Sequence, residues 1–188
     1  MKHTLFVAVL VASLGLQACR CCCESEPETS MLLSNAKVES VTIGEIRNVH
    51  EFGPYLLGGQ PTEADFELLK ARGVRTVVTL RTDPELGDFD EGAFVEKLGM
   101  NFVSVPFRAP ETLTDDVFDS VREQLNNAEG PVFLHCGSAN RVGGVWIPWR
   151  VLDGGVSVEQ AVAEGREIGL RVAEYEKRAL DYVARKSE

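Results

Sequence analysis

The chain has 188 residues, 26% of them charged, with 29 acidic against 19 basic side chains and a formal net charge of −10 at pH 7. An excess of that sign disfavours nucleic acid and anionic membrane surfaces as partners, since both are polyanions bound through Lys and Arg. It does not exclude a small local basic pocket.

Residues 1–18 stand apart from the fold. Lys2 supplies a short positive region, and Leu5 to Leu16 is apolar with small residues mixed in. That run is shorter than the ~20 residues a spanning helix needs, and it has the form of a signal-peptide core. Leu16-Gln17-Ala18-Cys19 resembles a bacterial lipobox, in which Cys19 is lipidated and becomes the new N-terminus. Plain secretion after cleavage near Ala18 is the alternative. Arg20 stands where an aspartate would favour inner-membrane retention, so the expectation is an outer-membrane anchor with the body in the periplasm. Glu24, Glu26 and Glu28 repel one another and extend a tether. The expected organisation is a signal peptide over 1–18, a lipidated acidic tether over 19–37 and one catalytic domain over 38–188. Without residues 1–18 the net charge becomes −11.

Five cysteines occur: Cys19, Cys21, Cys22, Cys23 and Cys136. Four lie near the anchor and one in the body, so no disulfide can form within the body. In an oxidising compartment a disulfide is the usual reason to keep cysteine, which makes a lone one a candidate for reactivity. The Cys21–Cys23 run lacks zinc-site spacing, and no metal or other cofactor is implied.

The body alternates strand-like and helix-like segments. Tyr55-Leu56-Leu57 reads as a strand ending at Gly58-Gly59. Thr62 and Asp65 are spaced as a capping box for a helix over 63–72. Its apolar face is Ala64, Phe66, Leu68 and Leu69, and Gly73 stops it. Val74 to Leu80 is β-branched and apolar, as a buried strand requires. A loop over 81–88 follows, then a short helix over 93–98 and a strand over 102–105. Val117, Phe118, Val121 and Leu125 mark an amphipathic helix. A strand over 131–135 precedes the Cys136 loop and a helix over 141–152. Ser157 and Gln160 are spaced as a second capping box, and Val172, Tyr175, Ala179 and Tyr182 describe a last helix. Strands separated by helices imply parallel pairing with right-handed crossovers. The expected fold class is α/β: one domain with a mostly parallel sheet of about four strands flanked by helices. Ligands in such sheets bind beyond the carboxyl ends of the strands, where Cys136 lies.

The decisive stretch is Pro131-Val132-Phe133-Leu134-His135-Cys136-Gly137-Ser138-Ala139-Asn140-Arg141. Strand, tight loop and helix start together form a site for a tetrahedral oxyanion, because loop N–H groups and the helix dipole favour negative charge there. Cys136 is the candidate nucleophile. A helix N-terminus and Arg141 can bring a thiol from ~8.5 into the ~3.5–7.5 range. Arg141 is the candidate bidentate clamp. The competing reading is a buried structural cysteine beside a surface arginine.

Leu57-Gly58-Gly59-Gln60-Pro61-Thr62 followed by Gly73-Val74-Arg75-Thr76-Val77-Val78-Thr79-Leu80-Arg81 resembles the opening of the bacterial beta-lactamase-hydrolase-like phosphatases. These are relatives of the dual-specificity and tyrosine phosphatases. His135-Cys136-x-Ser138-x-Asn140-Arg141-Val142-Gly143 resembles their active-site loop. The likeness runs from about Asn48 to Gly169 and implies a cysteine-phosphatase fold and a phosphocysteine intermediate. By position it makes Cys136 the nucleophile, Arg141 the phosphate binder, and the amides of Gly137, Ser138, Ala139, Asn140 and Arg141 the cradle. The implied partner is a phosphorylated protein or small phosphoester.

Three departures stand out. Four residues separate Cys136 from Arg141, where the wider superfamily has five. This shorter loop occurs in the family itself, and it is also the loop size of rhodanese sulfurtransferases. Val142 replaces a frequent hydroxyl residue, leaving Ser138 as a substitute. Ala139 stands where glycine is common; a positive φ there costs about 1 kcal/mol. No aspartate occurs in the segment after the third strand, Pro106-Phe107-Arg108-Ala109-Pro110-Glu111-Thr112, so Glu111 is the candidate general acid. Asp83, Glu85 and Asp88 are further candidates, while Asp115 and Asp116 read as helix-start residues. Arg108 is a candidate substrate contact, and Arg81 a candidate contact or ion-pair partner. His135 adjoins the substrate site, as a residue orienting the loop or as a plain core histidine. Trp146 and Trp149 read as core. The leading reading is a cysteine-dependent phosphatase. The rivals are a sulfurtransferase using a Cys136 persulfide and a non-catalytic phosphate- or sulfate-binding lipoprotein.

Overall fold

A computed structural model describes residues 36–187. The signal peptide, Cys19, the Cys21–Cys23 run and all of the tether before residue 36 lie outside the described residues. Among the described residues no helix is long and apolar enough to cross a membrane.

The sheet has six strands: β1 Glu39–Ser40, β2 His50–Phe52, β3 Tyr55–Gly58, β4 Thr76–Thr79, β5 Asn101–Ser104 and β6 Val132–His135, in the order β1-β2-β3-β6-β4-β5. Strands β3, β6, β4 and β5 are mutually parallel, as the alternating pattern implied. The expectation of about four strands missed β1 and β2, which pair antiparallel along the β3 edge. They are two and three residues long, too short to show a periodicity of two.

The helices are α1 Glu63–Ala71, α2 Asp83–Leu86, α3 Glu91–Lys97, α4 Asp115–Asn126, α5 Asn140–Leu152, α6 Val158–Ile168 and α7 Ala173–Lys186, with a 3-10 turn over Pro110–Thr112. Successive strand residues feed opposite cores, as the pleat requires. Leu56, Val77 and Phe133 join Phe66, Leu69 and Val95 under α1 and α3. Leu57, Val78 and Leu134 join Phe118, Trp146, Ile147 and Tyr182 under α4, α5 and α7. Trp146 and Trp149 are core, as read.

The Thr62–Asp65 capping box forms in both directions. At Ser157 only the forward half forms: its hydroxyl accepts from the Gln160 N–H, while the Gln160 amide turns to Glu164. On α1, Phe66 and Leu69 are buried but Ala64 and Leu68 face solvent, so its apolar stripe is narrower than expected. The 81–88 loop holds one unanticipated helical turn, α2.

Helix α5 is buried continuously from Arg141 to Arg150. It runs from the Cys136 loop between the sheet and α6. Gly143 and Gly165 make that crossing possible: a Cβ on Gly143 would lie 2.3 Å from the Gly165 carbonyl oxygen. The oxyanion loop therefore opens onto a helix fixed from two sides.

Candidate active site

β6 ends at His135, and Cys136 follows at the carboxyl edge of the sheet. Its N–H donates to the Gly58 carbonyl at 3.3 Å, holding the loop's start to β3. The loop's carbonyls are engaged on its outer side. Gly137 O accepts from the Gln60 N–H at 3.4 Å, and Ala139 O from the Gly143 N–H at 3.0 Å. Ser138 O accepts from Asn48 Nδ2 at 3.0 Å. An antiparallel bridge ties Ser138 to Gly59, and for the N–H groups of Gly137, Asn140 and Arg141 no protein acceptor occurs among the described residues. No side chain caps α5. Free N–H groups at a helix start, with their carbonyls turned away, are a ready receptor for an anion.

Ala139 adopts φ 66°, the left-handed conformation anticipated as strained. Its methyl group is buried against Gly169. Gly59 is required by close approach: a Cβ there would lie 2.9 Å from Arg47 O and 3.2 Å from Gly137 O.

Cys136 is buried and unpaired. The guanidinium that shares its surroundings is tightly specified. Arg141 Nη1 donates to Leu80 O at 2.8 Å and to Phe107 O at 2.7 Å, the backbone just beyond β4 and β5. Glu85 clamps the same end: its Oε2 accepts from Nη1 at 2.9 Å and its Oε1 from Nη2 at 2.7 Å. Nε and the second Nη2 hydrogen lie outside the Glu85 clamp, a two-donor edge suited to a tetrahedral oxyanion. Burial opposes the charge on Arg141. The Glu85 carboxylate and the nearby Cys136 sulfur outweigh it and raise the guanidinium pKa.

Glu85, a candidate acid by its place in the loop after β4, has another role in the structure. Partial burial would raise its pKa. Hydrogen bonds from Arg141 and Thr82, with the Arg141 charge, hold it down at about 2. It is a carboxylate at neutral pH and has no proton to give. It also closes a capping box on α2, accepting from Thr82 N and Oγ1 at 3.0 Å.

Glu111 lies exposed in the 3-10 turn after β5. Tyr175 of α7 connects that segment to the loop. Its hydroxyl donates to Arg108 O at 2.5 Å and its ring packs edge-on against Phe107. Burial raises the Tyr175 pKa; Arg141 opposes this, and the charges of Cys136, Glu85 and Glu111 add to it. Asp115 and Asp116 open α4, the helix-start position expected of them, and Asp115 also pairs with Arg185.

The remaining candidates take supporting positions. The His135 side chain is fully buried with Nε2 at 2.9 Å from Glu91 Oε1, so it supports the loop from behind and does not touch substrate. The Asn140 side chain accepts from the N–H groups of Arg171 and Val172, pinning the loop to the start of α7. Arg81 is an ion-pair partner of Glu91 at 3.8 Å. Arg108 is exposed, contributing its carbonyl to Tyr175. Among the described residues no cluster suited to a metal occurs.

Residues 29–180 match the family described as DSP-PTPase phosphatase fused to NAD+ kinase. The chain belongs to this family. The DSP-PTPase chain also resembles the beta-lactamase hydrolase-like protein of Agrobacterium fabrum, 31% identical over 102 residues, 52% of this chain and 23% of that protein. The Xylella fastidiosa (strain 9a5c) protein of the same name is 26% identical over 66% of this chain and 30% of its own length. The chain thus spans less than a third of the curated relatives it matches. Among solved structures, P. aeruginosa TpbA is 26% identical, covering 80% of this chain and 91% of its own with a TM-score of 0.63. A DUF442 protein of Shewanella putrefaciens CN-32 shares the fold at 21% identity and a TM-score of 0.63, covering 75% and 94%. The resemblance drawn from the motifs is therefore correct: the chain belongs with the dual-specificity and tyrosine phosphatase-like proteins.

Sequence reasoning missed Glu91, Asn48 and Tyr175 as parts of this site. Asn48 and Glu91 reach the loop region across 90 and 44 residues of sequence, beyond any local pattern. Tyr175 read as helix core. For Glu85 a signal existed: Thr82-Asp83-Pro84-Glu85 has capping-box spacing.

Proposed function

We propose that this DSP-PTPase domain hydrolyses phosphomonoesters of the phosphotyrosine type through a phosphocysteine intermediate. The observation that carries the reading is the division of Arg141. One edge is locked by Glu85, Leu80 O and Phe107 O, and the other lies outside that clamp, where the Cys136 sulfur acts on it. The thiolate attacks phosphorus, the P–S bond forms and the ester P–O bond breaks. Glu111, in its protonated form, gives its proton to the departing oxygen. Water then attacks phosphorus, Glu111 takes its proton, and the sulfur leaves as thiolate with release of inorganic phosphate. The N–H groups of the 137–141 loop and the Arg141 edge outside the Glu85 clamp receive the charge on the equatorial oxygens. A TpbA variant with cysteine replaced by serine binds pTyr on the same fold, which favours an aryl phosphate substrate here.

The four-residue spacing keeps sulfur transfer as the competing chemistry. The test is turnover on a panel of aryl phosphates, alkyl phosphates and thiosulfate, with Cys136→Ser alongside. Aryl phosphate hydrolysis lost in Cys136→Ser supports the proposal; thiosulfate consumption without phosphate release refutes it. We propose further that Cys19 carries a lipid holding the domain at the periplasmic face of the outer membrane. Fractionation tests this: Cys19→Ser should move the protein from membrane to soluble fractions, and an unchanged distribution refutes it.

A further inference from the structure

Behind the oxyanion loop lies a polar cluster to which the mechanism assigns no part. Glu91, the first residue of α3, is fully buried. Its Oε1 meets His135 Nε2 at 2.9 Å, and His135 is also fully buried. Its Oε2 accepts from Gln60 Nε2 at 2.9 Å and faces Arg81 Nη1 at 3.8 Å. Burial disfavours its charge, but His135, Gln60 and Arg81 together hold its pKa below the ordinary range, so it is a carboxylate.

Stability alone does not account for the cluster. His135 Nδ1, Gln60 Oε1 and Arg81 Nε are buried with no partner within the protein among the described residues. Taking ions from water costs several kcal/mol each, and a half-satisfied network is a poorer core than apolar packing. Phe66 and Phe133 already press on the His135 ring, so an apolar side chain would fit the surroundings.

What the cluster does is connect. Through His135 it reaches the residue before Cys136. Through Gln60 it holds the residue whose N–H bonds Gly137 O. Through Arg81 it reaches Glu85, because Arg81 Nη2 donates to the Glu85 carbonyl, and Glu85 clamps Arg141. The nucleophile and the anion-binding arginine stand at opposite ends of the loop, and Glu91 joins the supports of both.

We propose that Glu91 is the positioning residue of the active site, fixing Cys136 through His135 and Arg141 through Arg81 and Glu85. The inference rests on the phosphatase reading, and it predicts a division of labour. The His135 arm sets chemistry and the Arg81 arm sets anion affinity.

Three variants, Glu91→Gln, Arg81→Lys and His135→Asn, are compared in the full chain. Each is measured for kcat on an aryl phosphate and for the Kd of tungstate by calorimetry. Arg81→Lys should weaken tungstate fivefold or more, with a smaller loss in kcat. His135→Asn should lower kcat tenfold or more, with a smaller change in tungstate affinity. Glu91→Gln should do both. Should Glu91→Gln fail to fold, Glu91→Asp carries the test with the same expected pattern, since it keeps the charge but withdraws the carboxylate from His135. Two results overturn the inference: both parameters within twofold of wild type in every variant, or both falling in the same proportion in all of them, as general loosening would produce. Tungstate binding needs no turnover. A wild-type chain that binds tungstate through the Arg81 arm yet hydrolyses no phosphoester would sink the phosphatase reading while leaving the anion arm standing.

Discussion

The Glu85–Arg141 clamp makes a pH-dependent stability claim that can be tested without a substrate. In Glu85→Gln the shape is kept and the charge is lost. The wild-type pair has two contacts at 2.7 and 2.9 Å, with side chains 9% and 20% exposed for Arg141 and Glu85. Hydrogen bonds to charged groups contribute ~1.5–3 kcal/mol, and breaking a fully buried pair costs ~3–5 kcal/mol. Glu85 is partly open to solvent, the amide oxygen retains one contact, and Leu80 O and Phe107 O still hold Nη1. The lower figure therefore applies, about 2 kcal/mol at pH 7. For a domain of this size that is a fall of ~4–8 °C in Tm.

The sign with pH is fixed by the direction of the shift. The folded-state value of about 2 lies below the ordinary 4.5, so the contribution is fully present above pH 4.5 and disappears as pH falls towards 2. Urea unfolding of wild type and Glu85→Gln at pH 7, 5, 4 and 3 should give two curves that converge in acid. A gap unchanged between pH 7 and 3, or a variant as stable as wild type at pH 7, would refute the clamp.

Other perturbations separate the parts of the site. Gly143→Ala should destabilise by roughly 2 kcal/mol or more, read by urea unfolding, because the new Cβ meets the Gly165 carbonyl oxygen at 2.3 Å. Ala139→Gly relieves the left-handed backbone but loses a buried methyl group. These oppose each other at about 1 kcal/mol apiece, so the midpoint should hardly move and tungstate binding should survive. Glu111→Gln should lower kcat by about 10²–10⁴ on phosphotyrosine, whose leaving oxygen needs a proton, and far less on an aryl phosphate with an acidic leaving group. Equal losses on both would remove Glu111 from the role.

Much of this was legible in the chain because it is local. The parallel core follows from β-branched runs alternating with helical periodicity. The strand–Cys136–Arg141–helix unit is one continuous segment, so its residues and spacing specify its geometry. The left-handed φ of Ala139 was raised only through the family resemblance, which puts a glycine at that position. What stayed hidden is what depends on contacts between distant segments. The β1–β2 hairpin is too short to pattern. The fate of Glu85 depends on Arg141, 56 residues later, and that of His135 on Glu91, 44 residues earlier. A sequence shows that an acid lies in a loop; only the fold shows which arginine neutralises it.

The central claim is that the lone thiol of the body takes a phosphoryl group from an ester. Acid quenching during turnover of an aryl phosphate, followed by peptide mass analysis, tests it in one step. The account predicts a single phosphoryl group on the peptide carrying Cys136 and none on the Cys136→Ser protein. Unmodified Cys136 throughout, with phosphate release persisting in the serine variant, would contradict it.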